Sequence, residues 1–119
     1  RAAREAEIAA LLIRGCYGAE AKTIALDKFL EGEALRERRE LFYRNWEVLR
    51  ERLRQQLYPL AELKAMLKKA HCPTVPAEIG LPCGQFVHGV ATAQLIRKRY
   101  TILDAVYELG LSKALLSAL

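Results

Sequence analysis

Proline, cysteine and histidine are scarce in this chain, and long apolar runs are missing. Of 119 residues, 4 are proline, 3 cysteine and 2 histidine. Three cysteines (Cys16, Cys72 and Cys83) are too few and odd in number for a disulfide scaffold, so a reducing cytoplasm is the expected setting. No stretch approaches the ~18 apolar residues of a membrane span. The first apolar run, Ile8 to Ile13, is short, and Glu5 and Glu7 precede it, so RAAREAEIAALLIRG reads as a helix and not a signal peptide. There is no glycine-rich strand-to-helix turn for a dinucleotide. Period-two alternation, internal repeats and low-complexity runs are also lacking.

What remains is helical in pattern. Hydrophobic residues make up 52% and charged residues 28%, enough for a packed core under a solvated surface in one domain. The net charge of +5 is spread evenly, with 12 basic against 10 acidic residues over 1–59 and 7 against 4 over 60–119. No polybasic arm is present, and nucleic acid is not an expected partner. The helical pattern begins at Arg1 without a capping Ser, Thr, Asp or Asn, which suggests that Arg1 lies inside a helix that starts upstream.

The pattern predicts a succession of helical segments. Arg1–Arg14 places Ile8, Leu11 and Leu12 on one face, and Gly15 and Gly18 interrupt it. Glu20–Glu31 turns Ile24, Ala25 and Phe29 inward and stops at Gly32. Glu33–Tyr58 is the longest: Leu35, Phe42, Trp46, Leu49, Leu53 and Leu57 form a seam, widened by Leu41, Asn45 and Val48. Its other face carries seven arginines and five glutamates, with i,i+3 and i,i+4 pairs such as Glu33–Arg36, Glu40–Arg44 and Glu47–Arg50. Pro59 breaks and restarts the chain, and Leu60–Ala70 follows with Lys64, Lys68 and Lys69 toward its negative end. Pro73, Pro76 and Pro82 forbid a regular helix through Cys72–Leu81, but allow one short turn with Pro76 first, Glu78 in the acid-favouring position and Gly80 as the stop. After Pro82 a helix is expected through Leu95 and Ile96, with Arg97, Lys98 and Arg99 at its end. Another has Ile102, Leu103, Val106 and Leu109 on one face and Gly110 as the stop. An apolar tail helix after Ser112 completes the chain. The expected fold is all-α, a bundle of about five to six helices with one long charged central helix.

Four residues invite a zinc reading, in the pattern H-C-x10-C-x4-H: His71, Cys72, Cys83 and His88. Zinc sites supply ligands in close pairs, and adjacent His71 and Cys72 point apart, so no metal is assigned here. Cys83 and His88, five apart at a helix start, make a poor nucleophile–base pair. Arg97, Lys98, Arg99 and Tyr100 form the one compact cationic group. Its structural reading is a helix end whose cations pair with Asp104 or Glu108. Its functional reading is a phosphate site, with Arg97 and Arg99 supplying guanidinium forks.

The stretch from Ala70 to Gly110 carries the order A-x-x-P-T-x-P-x-E-I-G-L, then about a dozen helical residues, then I-R-x-R-Y-T-I-L-D-x-x-Y-E-L-G. Leu60–Lys69 (LAELKAMLKK) extends it upstream. This resembles the C-terminal end of the sn-glycerol-1-phosphate dehydrogenases, in the iron-containing alcohol dehydrogenase and dehydroquinate synthase-like superfamily. The resemblance implies a C-terminal helical segment of a two-domain enzyme whose N-terminal nucleotide-binding domain lies elsewhere. The intact enzyme would use NAD(P)H and a divalent metal, Zn²⁺ or another, to reduce dihydroxyacetone phosphate to sn-glycerol 1-phosphate. Its helical domain would supply metal ligands and one wall of the interdomain cleft. The family holds its metal with an aspartate and two histidines, one in a His-Gly motif; His88-Gly89 has those letters but lies well past that place, so no metal ligand is carried over. No catalytic residue is carried over either, and these 119 residues are expected to be inactive alone. The alternative is an autonomous helical module whose exposed apolar helix faces make a homo-oligomer or partner surface.

Overall fold

The computed structural model describes residues 1–13 and 19–119, so the readings placed on Gly15, Cys16 and Gly18 lie outside the described residues. The fold is all-α, and the described residues contain no strand. The helices are α1 (Ala2–Leu12), α2 (Ala19–Asp27), α3 (Gly32–Gln56), α4 (Leu60–Lys69), α5 (Cys83–Ala93), α6 (Ile102–Glu108) and α7 (Ser112–Ser117), with a 3₁₀ turn at Pro76–Ile79.

Local chemistry explains most of the boundaries. Leu57 leaves helical geometry for extended backbone two residues before Pro59, and α4 begins directly after that proline. The 3₁₀ turn is clasped by Glu78, whose carboxylate accepts from the backbone N–H groups of Thr74 and Val75. Those two bonds, Thr74's first, hold the Glu78 carboxyl below its ordinary pKa. Gly80 closes the turn at φ 67° and Gly110 closes α6 at φ 75°, both in the left-handed region that favours glycine. The predicted pairs on α3 are all formed: Glu33–Arg36, Glu40–Arg44 at 2.9 Å and Glu47–Arg50.

Two helices end earlier than their patterns imply. α2 stops at Asp27 rather than running to Glu31. α5 stops at Ala93, and Arg97–Arg99 sit in a loop rather than on a helix end. Thr92 turns its hydroxyl back onto the carbonyls of His88 and Gly89, at 2.9 and 3.1 Å. Such back-bonding bends a helix and competes with its continuation. Leu95 then bonds through its N–H to the Thr92 carbonyl and turns inward, where it is only 1% exposed. Burial of Leu95 against Ile8 and Ala25 outweighs one more turn of helix, and Ile96 is left exposed.

That contact is the centre of the core. Ile8 of α1, Ala25 of α2 and Leu95 form it, with Leu11, Leu12 and Leu26 packed around them. α1 packs on α2 and α5, and α7 packs on α5 and α6. α3 contributes no fully buried residue. Its expected seam is covered only in part: Leu35, Phe42, Leu49 and Leu53 are half-buried, whereas Trp46 and Leu57 are exposed. The radius of gyration is 16.5 Å, where a compact chain of this length has about 13.5 Å. The accessible surface is 9000 Å², against about 6500 Å² for a compact monomer of this mass. The small core and the projecting α3–α4 arm account for both excesses.

Candidate functional site

The loop Gln94–Thr101 and the start of α6 carry the residues singled out by sequence. Thr101 precedes α6 in extended backbone, and its N–H and hydroxyl both donate to the Asp104 carboxylate, at 2.7 and 2.8 Å. Asp104 is also the terminus of a long-range tie. Lys28, directly after α2, donates to Asp104 Oδ1 at 2.7 Å and to the Gln94 carbonyl. Both side chains of this ion pair are largely buried. The lysine thus grips both ends of the cationic loop, with Gln94 before it and Asp104 after it.

A second tie reaches the loop from α3. The Tyr100 hydroxyl donates to Glu108 Oε2 at 2.7 Å, and Arg38 lies 3.7 Å from the other oxygen of that carboxylate. Arg38 also covers the Tyr100 ring at 5.1 Å, and the rings of Phe42 and Tyr100 stack at 6.5 Å. Arg39 donates to the Glu108 carbonyl at the end of α6. Burial and the bond to Glu108 push the Tyr100 phenol up to about 12, against the opposing pull of Arg38. A third polar group joins α1 to α6. Arg4, itself buried, lies 3.6 Å over the Tyr107 ring and pairs with Glu7 at 2.8 Å.

The acids expected to neutralise Arg97, Lys98 and Arg99 are therefore occupied elsewhere: Asp104 by Lys28, and Glu108 by Tyr100 and Arg38. The three cations are exposed and make no ion pair with another described residue. Sequence reasoning missed Lys28, Arg38 and Arg39 as partners. They lie 66 to 76 positions away in the chain from the groups they hold, and no local spacing signals such a contact. The resulting site is a fixed loop that presents two guanidinium groups and an ammonium to solvent. It can bind an anion by charge and forked hydrogen bonds, and it offers no proton acceptor of its own.

The other candidates are dispersed. His71, the one described non-glycine residue at positive φ (55°), lies beside exposed Cys72 on the loop after α4. Cys83 is exposed at the start of α5. His88 lines a cleft of about 370 Å³ between α1, α5, α6 and α7, walled largely by Leu11, Val90, Leu103, Val106 and Leu116. Its Nε2 is buried and has no partner among the described residues. No group of three or more His, Cys, Asp or Glu among the described residues could hold a metal ion. The divalent metal implied by the resemblance therefore does not fit these residues. No described helix is long and apolar enough to cross a membrane. Comparison with family models, with curated proteins and with solved structures produced no match to this chain.

Proposed function

We propose that this chain is the helical C-terminal part of a glycerol-1-phosphate dehydrogenase-like oxidoreductase, completed by an N-terminal nucleotide-binding domain. One observation carries the reading: the ordered motif from Ala70 to Gly110 folds into two clasped turns joined by a helix, and Glu78, Tyr100, Thr101 and Asp104 hold those turns. Glu78 clasps Thr74 and Val75, and Gly80 turns the chain. Tyr100 anchors on Glu108, while Thr101 and Asp104 start α6. Within that framework Arg97, Lys98 and Arg99 are exposed and make no ion pair with another described residue.

On this reading the intact protein reduces dihydroxyacetone phosphate to sn-glycerol 1-phosphate. In the intact protein NAD(P)H would supply the hydride, and a divalent metal such as Zn²⁺ would supply polarisation of the carbonyl. Both belong to residues outside this chain. The chain's own part is positional. Arg97 and Arg99 bind the substrate phosphate from a loop held at both ends, and the helices close one wall of the cleft against water. These 119 residues do not turn over substrate alone. The test is steady-state kinetics of the intact protein carrying Arg97→Ala and Arg99→Ala. The Michaelis constant for dihydroxyacetone phosphate should rise about tenfold or more per lost guanidinium, with kcat less affected. An unchanged constant with lowered stability would assign both arginines a structural role.

A second reading, a helical association module without catalysis, is favoured by the apolar side chains left open along α3 and α4. These include Leu41, Val48, Leu57, Leu60 and Leu63.

A further inference from the structure

α3 has two apolar faces. The seam through Phe42, Leu49 and Leu53 is half-covered by the chain itself. A second face, rotated about a quarter-turn away by the 100° helical step, carries Leu41, Asn45, Val48 and Arg52 at spacings of four, three and four. Leu41 is 59% and Val48 61% exposed, and Asn45 and Arg52 are exposed as well. With Phe42 and Leu49 along one border, these residues line a shallow groove of about 280 Å³. The spacing is that of a coiled-coil seam, shorter and more polar than a permanent one.

The seam is complementary to itself when reversed. An antiparallel copy centred between Trp46 and Glu47 sets Leu41 over the stem of the second copy's Arg52, and Asn45 beside its Val48. Each layer then occurs twice, as a two-fold axis requires. One border places Phe42 against the second copy's Leu49, which is apolar on both sides. The other places Arg44 against the second copy's Glu51, an opposite-charge pair that also occurs twice. In a parallel pairing each border would set one flank against the opposite flank of the second copy, Arg44 against Leu49, and both Arg44–Glu51 pairs would be lost. Within its own helix Arg44 meets Glu40 at 2.9 Å, and Glu51 receives Gln55 at 3.2 Å. Both groups keep further hydrogen-bonding capacity. Area also permits the contact. The chain exposes about 2500 Å² more than a compact monomer of its mass, and a standard interface covers about 800 Å² on each partner.

We propose that α3 pairs antiparallel with α3 of a second copy of this chain, through Leu41, Asn45, Val48 and Arg52, with Arg44 and Glu51 fixing the direction. The reading stands apart from the enzymatic one, because a dimer neither requires nor excludes catalysis. The test is sedimentation equilibrium of the protein and four variants, with circular dichroism as a check on folding. All the substituted positions are exposed, so helix content should not change. The unsubstituted chain should form dimers at micromolar to millimolar concentration, and Val48→Glu should abolish them. Arg44→Glu or Glu51→Arg alone should weaken association about tenfold, by setting like charges together twice. The combination Arg44→Glu with Glu51→Arg should restore it. A monomer throughout that range would overturn the proposal and leave the face to another partner. A dimer indifferent to Val48→Glu would overturn it by placing the contact elsewhere. Failure of the double variant to recover would overturn the antiparallel register.

Discussion

Single residues here act mainly by being held. Tyr100 is the clearest example. Its ring stacks on Phe42 beneath Arg38, and its hydroxyl donates to Glu108. Burial and that bond raise its pKa from 10 to about 12. A raised phenol pKa means the folded state holds the proton more tightly than the unfolded one. The contribution is fully present below pH 10 and is lost as pH rises from 10 through about 12. Urea unfolding across this range should show the unsubstituted protein losing stability faster than Tyr100→Phe. Below pH 10 the variant should be less stable by about 1 kcal/mol, the worth of one hydrogen bond to a partly screened carboxylate. Parallel curves for the two proteins would mean that the Tyr100–Glu108 bond does not form in solution.

At the scale of elements, Asp104 joins two contacts, neither of them the pairing with Arg97–Arg99 expected from sequence. It caps the start of α6 by accepting from the N–H and hydroxyl of Thr101. Its pairing with Lys28 ties α6 to α2, and nothing local reveals that. Asp104→Ala removes the cap and leaves a largely buried ammonium unpaired, so it should cost about 3 kcal/mol or more in chemical denaturation. Arg36→Ala, which breaks two exposed pairs on α3, should cost under about 1 kcal/mol. Equal costs would show that the Lys28–Asp104 tie is not buried as described. The same contrast explains what could be read from sequence. Helix starts and stops at Pro59, Gly80, Pro82 and Gly110 were legible because proline and glycine act through their own backbone. The end of α5 was not, because a distant pocket between Ile8 and Ala25 takes Leu95 out of the helical pattern. The same holds for Arg97 and Arg99: their charge was visible, but the loss of their expected partners to Lys28 and Arg38 required the tertiary fold.

For the whole molecule, the decisive fact is disproportion. Five small or medium apolar residues are buried among those described: Ile8, Ala21, Ala25, Leu95 and Ala105. Meanwhile leucines, valines and aromatic residues stand open along α3 and α4. The all-α class follows from helical periodicity alone, but periodicity cannot say whether an apolar seam is closed by the same chain or by another. The proposed second domain and the proposed second copy would each cover part of this surface. The proposed second domain is tested most directly by assaying the intact protein for oxidation of NADH or NADPH with dihydroxyacetone phosphate and Zn²⁺. Turnover that depends on that substrate and yields sn-glycerol 1-phosphate is the predicted result. An intact protein that lacks such a domain, or one that binds nicotinamide nucleotide yet leaves dihydroxyacetone phosphate unreduced, would contradict it.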